Sequence, residues 1–251
     1  MVIHGHVLCW NEVEIIPFVL DYWKRIGVDK LYVYDNGSTD GSLDEFKKYD
    51  WIEVIPFESK DGKTDEFLLT ELRNREWKKS KGVADWVIVS DFDEVPYCPY
   101  NFKEELAKWD EEGVTVIRTI MFTVVADNFP EYNPERLLHM GEGLRFVAEP
   151  QMTKTLIFNP NRIEDMHYAL GAHTCSPVGE GKCLEFPENI IFFHLKHLGK
   201  DYCVRKSMRL YENLREDIKE GGIIDSHYKK LAENYDEEIK KLFKDCETIY
   251  D

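Results

Sequence analysis

Three carboxylates within four residues, Asp91, Asp93 and Glu94, follow directly on the β-branched run Val87-Ile88-Val89. A short continuous apolar run of this kind reads as a strand buried on both faces of a parallel sheet. In open α/β sheets ligands bind outside the carboxyl ends of the strands, which is where these side chains stand. Residues two apart on an extended chain point the same way, so Asp91 and Asp93 are expected to converge while Phe92 turns into the core. Two close carboxylates repel unless a cation or a proton lies between them. A hard divalent ion with oxygen ligands, Mg²⁺ or Mn²⁺, meets that need and keeps positions open for a substrate phosphate. A polar turn after a buried strand is the plain alternative.

A second polar stretch, Asp35-Asn36-Gly37-Ser38-Thr39-Asp40-Gly41-Ser42, follows the apolar run ending at Tyr34. It superficially matches a calcium loop, but Lys47 occupies the place of the bidentate Glu and a strand precedes it. What remains is a loop at a strand's C-terminal end. Asp35 could accept from a base or ribose there, and Asn36-Gly37 lets a backbone approach a ligand. A simple strand-to-helix turn explains it equally. No G-x-G-x-x-G and no G-x-x-x-x-G-K-[ST] occurs, so a bound diphosphate would need a metal to neutralise it. There is no G-x-S-x-G nucleophile motif either. The late histidines His194 and His197 are either metal ligands or hydrogen-bonded core residues, and Lys196 between them could meet a phosphate.

The elements that must position these groups alternate. Strands are expected at Val2–Leu8, Val28–Tyr34, Trp51–Phe57 and Trp86–Val89. Helices stand between them, opened by Asn11 with Glu14 as a capping box and later by Thr64 or Asp65. Four strand–helix alternations predict a doubly wound, mostly parallel sheet. Beyond the carboxylates, Asn101 with Glu104 opens another helix, and Val114–Val125 is long and β-rich. Residues 126–150 read as loops, and Met152–Phe158, His167–Ala172 and Asn189–His194 as short strands. The last fifty residues read as two charged amphipathic helices broken at Gly221-Gly222.

With 251 residues, 43% hydrophobic and 32% charged, the chain can bury a large single core. The net charge of −16 argues against nucleic acid as a partner. No apolar run is long enough for a membrane span, and no signal peptide opens the chain. Six cysteines without a C-x-x-C pair argue against a zinc site or disulfide framework and for a cytoplasmic setting.

Trp10-Asn11-Glu12, Gly27-Val28-Asp29, Tyr34-Asp35-Asn36-Gly37-Ser38-Thr39-Asp40-Gly41 and Asp85–Glu94 together resemble the family 2-type glycosyltransferases with the GT-A fold, in the branch grouped with family 92. The resemblance is strongest over residues 1–100. It implies a GT-A domain over 1–200, with a nucleotide-sugar-binding half (1–100) and an acceptor half (101–200), and C-terminal helices over 201–251 packed on it. It implies a UDP- or GDP-linked sugar donor held by Asn11, Glu12, Asp35 and Asn36, with Arg73 and Asn74 near it. Mn²⁺ or Mg²⁺ would sit on Asp91 and Asp93, with Glu94 behind them. Lys154, His173, His194, His197 and Lys206 resemble the late basic residues of that branch, more loosely. The base that deprotonates a glycan or other hydroxyl acceptor would come from the pair Glu164-Asp165, with Asp127 and Glu149 as rivals. Asp91-Phe92-Asp93 also resembles the nucleophile motif of haloacid-dehalogenase-like phosphatases, though three strand–helix units precede it. A binding module that keeps the metal site without turnover is the third reading.

Overall fold

The computed structural model describes residues 1–59, 62–215, 223–244 and 248–250. The first half is built by alternation: β1 (Ile3–Cys9), α1 (Ile16–Arg25), β2 (Lys30–Asp35), α2 (Ser42–Phe46), β3 (Ile52–Pro56), α3 (Glu66–Arg75) and β4 (Trp86–Asp91). β3, β2, β1 and β4 lie side by side in that order, all parallel. The order reverses between β1 and β4, which makes the crevice past their carboxyl ends the ligand position of an open α/β sheet.

The burial of β4 shows why an unbroken apolar run was needed. Trp86 and Ile88 face the large core under α1, whereas Val87 and Val89 face a second core with Trp77 and Phe158. β1 and α1 approach so closely that only glycine fits between them. A Cβ on Gly5 would lie 2.5 Å from both Leu31 and Trp23 side-chain atoms.

The second half extends the same sheet. β5 (Glu94–Tyr97) and α4 (Phe102–Glu111) are followed by the long strands β6 (Val114–Ala126) and β7 (Arg145–Phe158). β7 is antiparallel to both β4 and β6, while β11 (Ile191–Leu198) lies between β6 and β5. Short β8 (Ile163–Asp165), β9 (Val178–Gly179) and β10 (Lys182–Glu185) complete this side. The result is a mixed, mostly parallel sheet flanked by helices. Helices α5 (Lys200–Asn213), α6 (Ile223–Glu233) and α7 (Tyr235–Lys244) follow, and β12 (Thr248–Tyr250) pairs with β7.

Several local expectations are corrected. Asn11 does not open a helix with Glu14: it has φ +56, and α1 starts at Ile16 with a proline in its first turn. Pro17 pre-sets a helix start, while the Asn11 amide oxygen instead takes the N–H groups of Thr39 and Asp40. His167–Ala172 is not a strand: His167 and Ala172 have positive φ, and Leu170–Ala172 forms a 3₁₀ turn. β7 begins at Arg145, inside the stretch read as loop. Where two C-terminal helices were expected, three lie among the described residues, and Gly221-Gly222 falls outside them. The caps at Asp65 and Asn101 form as expected, each side chain accepting from N–H groups of its helix's first turn.

Gly5→Ala should lower stability by about 1–3 kcal/mol, the usual cost of overpacking a filled core. Denaturant melts of the two proteins check this.

Candidate functional site

The site forms where β1 and β4 diverge. Phe92 turns into the core against Phe46, and its N–H bonds the Leu8 carbonyl 2.9 Å away. This ties the β4 turn to β1 and leaves Asp91 and Asp93 facing the crevice. The chain then doubles back into β5, in register with β11, so that His194 stands opposite Glu94. The Leu195 N–H donates to the Asp93 carbonyl at 2.8 Å. The carboxylate turn is therefore fixed by backbone bonds on both sides.

Each carboxylate meets a cation from a distant segment. Arg73, near the end of α3, places Nη2 2.5 Å from Asp91 Oδ1. Lys154 on β7 bonds Glu94 and lies 3.5 Å from Asp91 Oδ2. Lys206 on α5 bridges Glu12 at 2.7 Å and Asp93 Oδ2 at 2.9 Å, with the Tyr202 hydroxyl 3.3 Å away. His194 Nε2 lies 3.4 Å from the same Asp93 oxygen. Glu12, Asp91, Asp93 and Glu94 thus face Arg73, Lys154 and Lys206, four carboxylates against three permanent cations.

These charges set the proton affinities. Burial would raise Asp93, but Lys206 and His194 hold it well below the usual carboxylate range. Asp91 is also held low, by Arg73 and Lys154 against burial. Burial pushes Glu12 the other way, to about 7, with Lys206 opposing and Asp93 adding to the rise. Glu94 is raised by burial and by Asp91 despite Lys154. Two residues that the motifs did not reveal also belong here. Glu66, in the first turn of α3, is raised by burial and by Asp91 while Arg73 opposes. The Tyr228 phenol on α6 is raised by burial and by Glu66, Asp93 and Asp91. Glu66 follows the capping residue Asp65, and Tyr228 belongs to a helix distant in sequence, so neither carried a local signal.

The remaining expected residues lie as follows. Asp35 is buried, and Ser38 takes both its oxygens, through the backbone N–H at 2.9 Å and the hydroxyl at 2.5 Å. The Ser38 oxygen accepts in turn from the Asn11 N–H at 2.8 Å, so the loops after β1 and β2 are laced together. The Asn36 N–H bonds the Cys9 carbonyl. Asn74 clamps Tyr168, accepting from its N–H at 2.7 Å and donating to its carbonyl at 3.0 Å. His197 is buried with Nδ1 3.0 Å from Cys203 Sγ and its ring edge-on to Tyr235. Among the base candidates, Glu164 is exposed and Asp165 pairs with Lys78 at 2.5 Å. Asp127 is an exposed partner of Arg145. Glu149 accepts from Thr123 and shares a charged neighbour with the crevice, since Lys196 feels both Glu149 and Asp93.

The donor set has the chemistry of a hard-cation site, with carboxylate oxygens at Asp91 and Asp93. Among the described residues no three His, Cys, Asp or Glu side chains gather as a ready-made metal shell. Two protein carboxylates with the balance supplied by phosphate and water is the usual habit of Mg²⁺; Asp91 and Asp93 offer oxygens of that kind, each now paired with a protein cation.

Residues 8–239 match the family model of Glycosyltransferase family 92. The chain belongs to this family and is a glycosyltransferase. That assignment favours the glycosyltransferase reading over the phosphatase one. No curated protein matches the chain. Among solved structures, a mycobacterial protein is similar at 18% identity and TM-score 0.34, over 49% of this chain and 41% of that one. The 4-diphosphocytidyl-2C-methyl-D-erythritol synthase of Anaerococcus prevotii DSM 20548 is similar at 13% identity and TM-score 0.33, over 63% and 70%. The bifunctional IspDF of Campylobacter jejuni is similar at 13% identity and TM-score 0.37, over 80% and 53%. The chain therefore spans less than half the length of the mycobacterial protein, and likenesses at these scores carry nothing further. No helix among the described residues is long and apolar enough to cross a membrane.

Two outcomes are expected. Lys206→Met leaves Asp93 and Glu12 buried without their cation, and should cost about 3–5 kcal/mol in denaturant melts. Glu12 holds its proton up to about pH 7 when folded against an ordinary value of 4.5. Its contribution to stability is therefore full below the ordinary value and is lost as pH rises through that window. Glu12→Gln should remove that loss, so its stability-versus-pH curve should have a smaller downward slope there than wild type.

Proposed function

We propose that this glycosyltransferase moves a sugar from a UDP- or GDP-linked donor to a hydroxyl of a glycan or other acceptor, using Mn²⁺ or Mg²⁺ at Asp91 and Asp93 in a GT-A-type domain. One observation carries this reading. Five segments far apart in sequence deliver Glu12, Arg73, Asp91, Asp93, Glu94, Lys154 and Lys206 to the β1–β4 crevice. A mixed cluster of this kind suits a ligand that brings both a divalent cation and a diphosphate, because each carboxylate and each cation can exchange its partner for one on the ligand.

The protein's own residues have separable parts in this account. Lys206 and His194 both engage Asp93 Oδ2, which leaves Oδ1 as the oxygen to turn toward a cation. Arg73, whose buried Nη1 has no hydrogen-bond partner among the described residues, would meet a phosphate oxygen. Lys154 would bridge Glu94 and Asp91 and favour the ionised form of each against the effect of burial. A bound divalent ion would supply Lewis-acid stabilisation of the departing nucleoside diphosphate.

Asp93→Asn tests the assignment, since it removes the charge with little change of shape. Loss of about 3 kcal/mol of transition-state stabilisation is about a 10²-fold fall in transfer and donor hydrolysis. Radiolabelled UDP- and GDP-sugars with Mn²⁺ measure both rates. A folded variant with unchanged rates would remove Asp93 from the chemistry.

A further inference from the structure

A cavity of about 460 Å³ lies against β6 and β7, and none of its lining residues belongs to the carboxylate crevice. Its size is within the range of roughly 300–1,000 Å³ typical of ligand pockets. Its walls are β6, β7 and the segment from His173 to Glu185. They carry Thr115, Thr155 and Thr174, and two acidic residues, Glu180 and Glu185, balanced by the two basic residues Arg118 and Lys182. A lining that mixes threonine hydroxyls, apolar side chains and balanced charges selects neither an anion nor a lipid tail. It suits a neutral ligand with many hydroxyls.

The cavity is built rather than incidental. Its outer wall packs tightly: a Cβ on Gly181 would lie 2.2 Å from Thr115 of β6, and one on Gly179 2.3 Å from the Arg162 carbonyl just before β8. His173 lines this cavity and also feels the charges of Lys154, Asp91 and Arg73 in the crevice. Burial first and then the charges of Lys154 and Arg73 hold its imidazolium below the ordinary histidine range, with Asp91 opposing. These influences favour the neutral ring, and its buried Nδ1 has no hydrogen-bond partner among the described residues.

The loop that presents His173 is held in costly conformations. His167 and Ala172 both have positive φ, and non-glycine residues keep such backbone only where the surroundings enforce it. Asn74 supplies that enforcement by gripping the Tyr168 backbone, and the Tyr168 hydroxyl bonds the Thr155 carbonyl at 2.7 Å. Arg73 and Asn74, consecutive on α3, thus tie one carboxylate of the crevice to the loop that carries His173.

We propose that this cavity is the acceptor site, that it takes the neutral, hydroxyl-rich end of a glycan, and that His173 meets the acceptor hydroxyl at its inner end. The proposal rests on reading Asp91 and Asp93 as the donor site.

Cys175 and Cys183 line the cavity, while Cys98 is partly exposed elsewhere and serves as a control. Iodoacetamide labelling of the full chain, read peptide by peptide by mass spectrometry, is run with a panel of neutral methyl glycosides at millimolar concentration, with and without UDP or GDP and Mn²⁺. At least one glycoside should slow labelling of Cys183 and Cys175 at least threefold and leave Cys98 unchanged. Cys183→Trp, which fills the cavity mouth, should abolish protection of Cys175 while the nucleotide still raises the melting temperature. No protection by any glycoside, or equal protection of Cys98, overturns the proposal. Nucleotide binding without glycoside protection would sink the acceptor site alone. Glycoside protection without nucleotide binding would keep a carbohydrate site here and sink the donor reading on which its role as acceptor depends.

Discussion

Carboxylates brought to a single buried crevice must be compensated, and much of this architecture follows from how that is done. Lys206 is the clearest case. It reaches from α5 across the carboxyl ends of β1 and β4 to touch Glu12 and Asp93 at once, with most of its side chain out of water. Buried ion pairs of this kind are weak contributors to net stability, because desolvation offsets most of the attraction. Their value here is positional. Removing water from the charges costs less if each finds a partner at a fixed place, and the partners fix where α3, β7, β11 and α5 must lie around the β4 turn.

The same constraint links the fold's two halves. The parallel half supplies Glu12, Arg73 and Asp91, whereas the half with antiparallel pairings supplies Lys154, His194 and Glu94's partner strand. Neither half closes the crevice alone. The Tyr228 phenol, raised by burial and by the fields of Glu66, Asp93 and Asp91, extends that enclosure to α6. Glycosyl transfer profits from such enclosure, since electrostatic interactions strengthen as water is excluded.

How much of this was legible in the sequence depended on whether a signal was local. The alternating burial of Trp86 to Val89 on both faces follows from an unbroken apolar run, and the carboxylate turn from the residues that end it. The caps at Asp65 and Asn101 were readable because a cap is a contact over two or three residues. Asn11 misled because its side chain is used across the β1 and β2 loops rather than along its own helix, and Pro17 sets the start instead. His167–Ala172 looked strand-like by residue type, yet its backbone is dictated by Asn74, ninety-four positions from Tyr168. Pairing of Lys154 and Lys206 with particular carboxylates was invisible to spacing, although resemblance to a family had singled out both lysines. Glu66 and Tyr228 had neither kind of signal, since only folding brings them to Asp91.

The central claim is that the Asp91–Asp93 crevice binds a nucleoside diphosphate together with a divalent cation. Thermal melting with UDP and GDP, each with and without Mn²⁺, tests it most directly. A ligand that binds only the folded chain at about 100 times its dissociation constant adds roughly 2.7 kcal/mol. The account predicts a rise in melting temperature with one of the two nucleotides that requires Mn²⁺ and disappears in Asp93→Asn. A rise that ignores both the metal and the substitution, or no rise with either nucleotide, would contradict it.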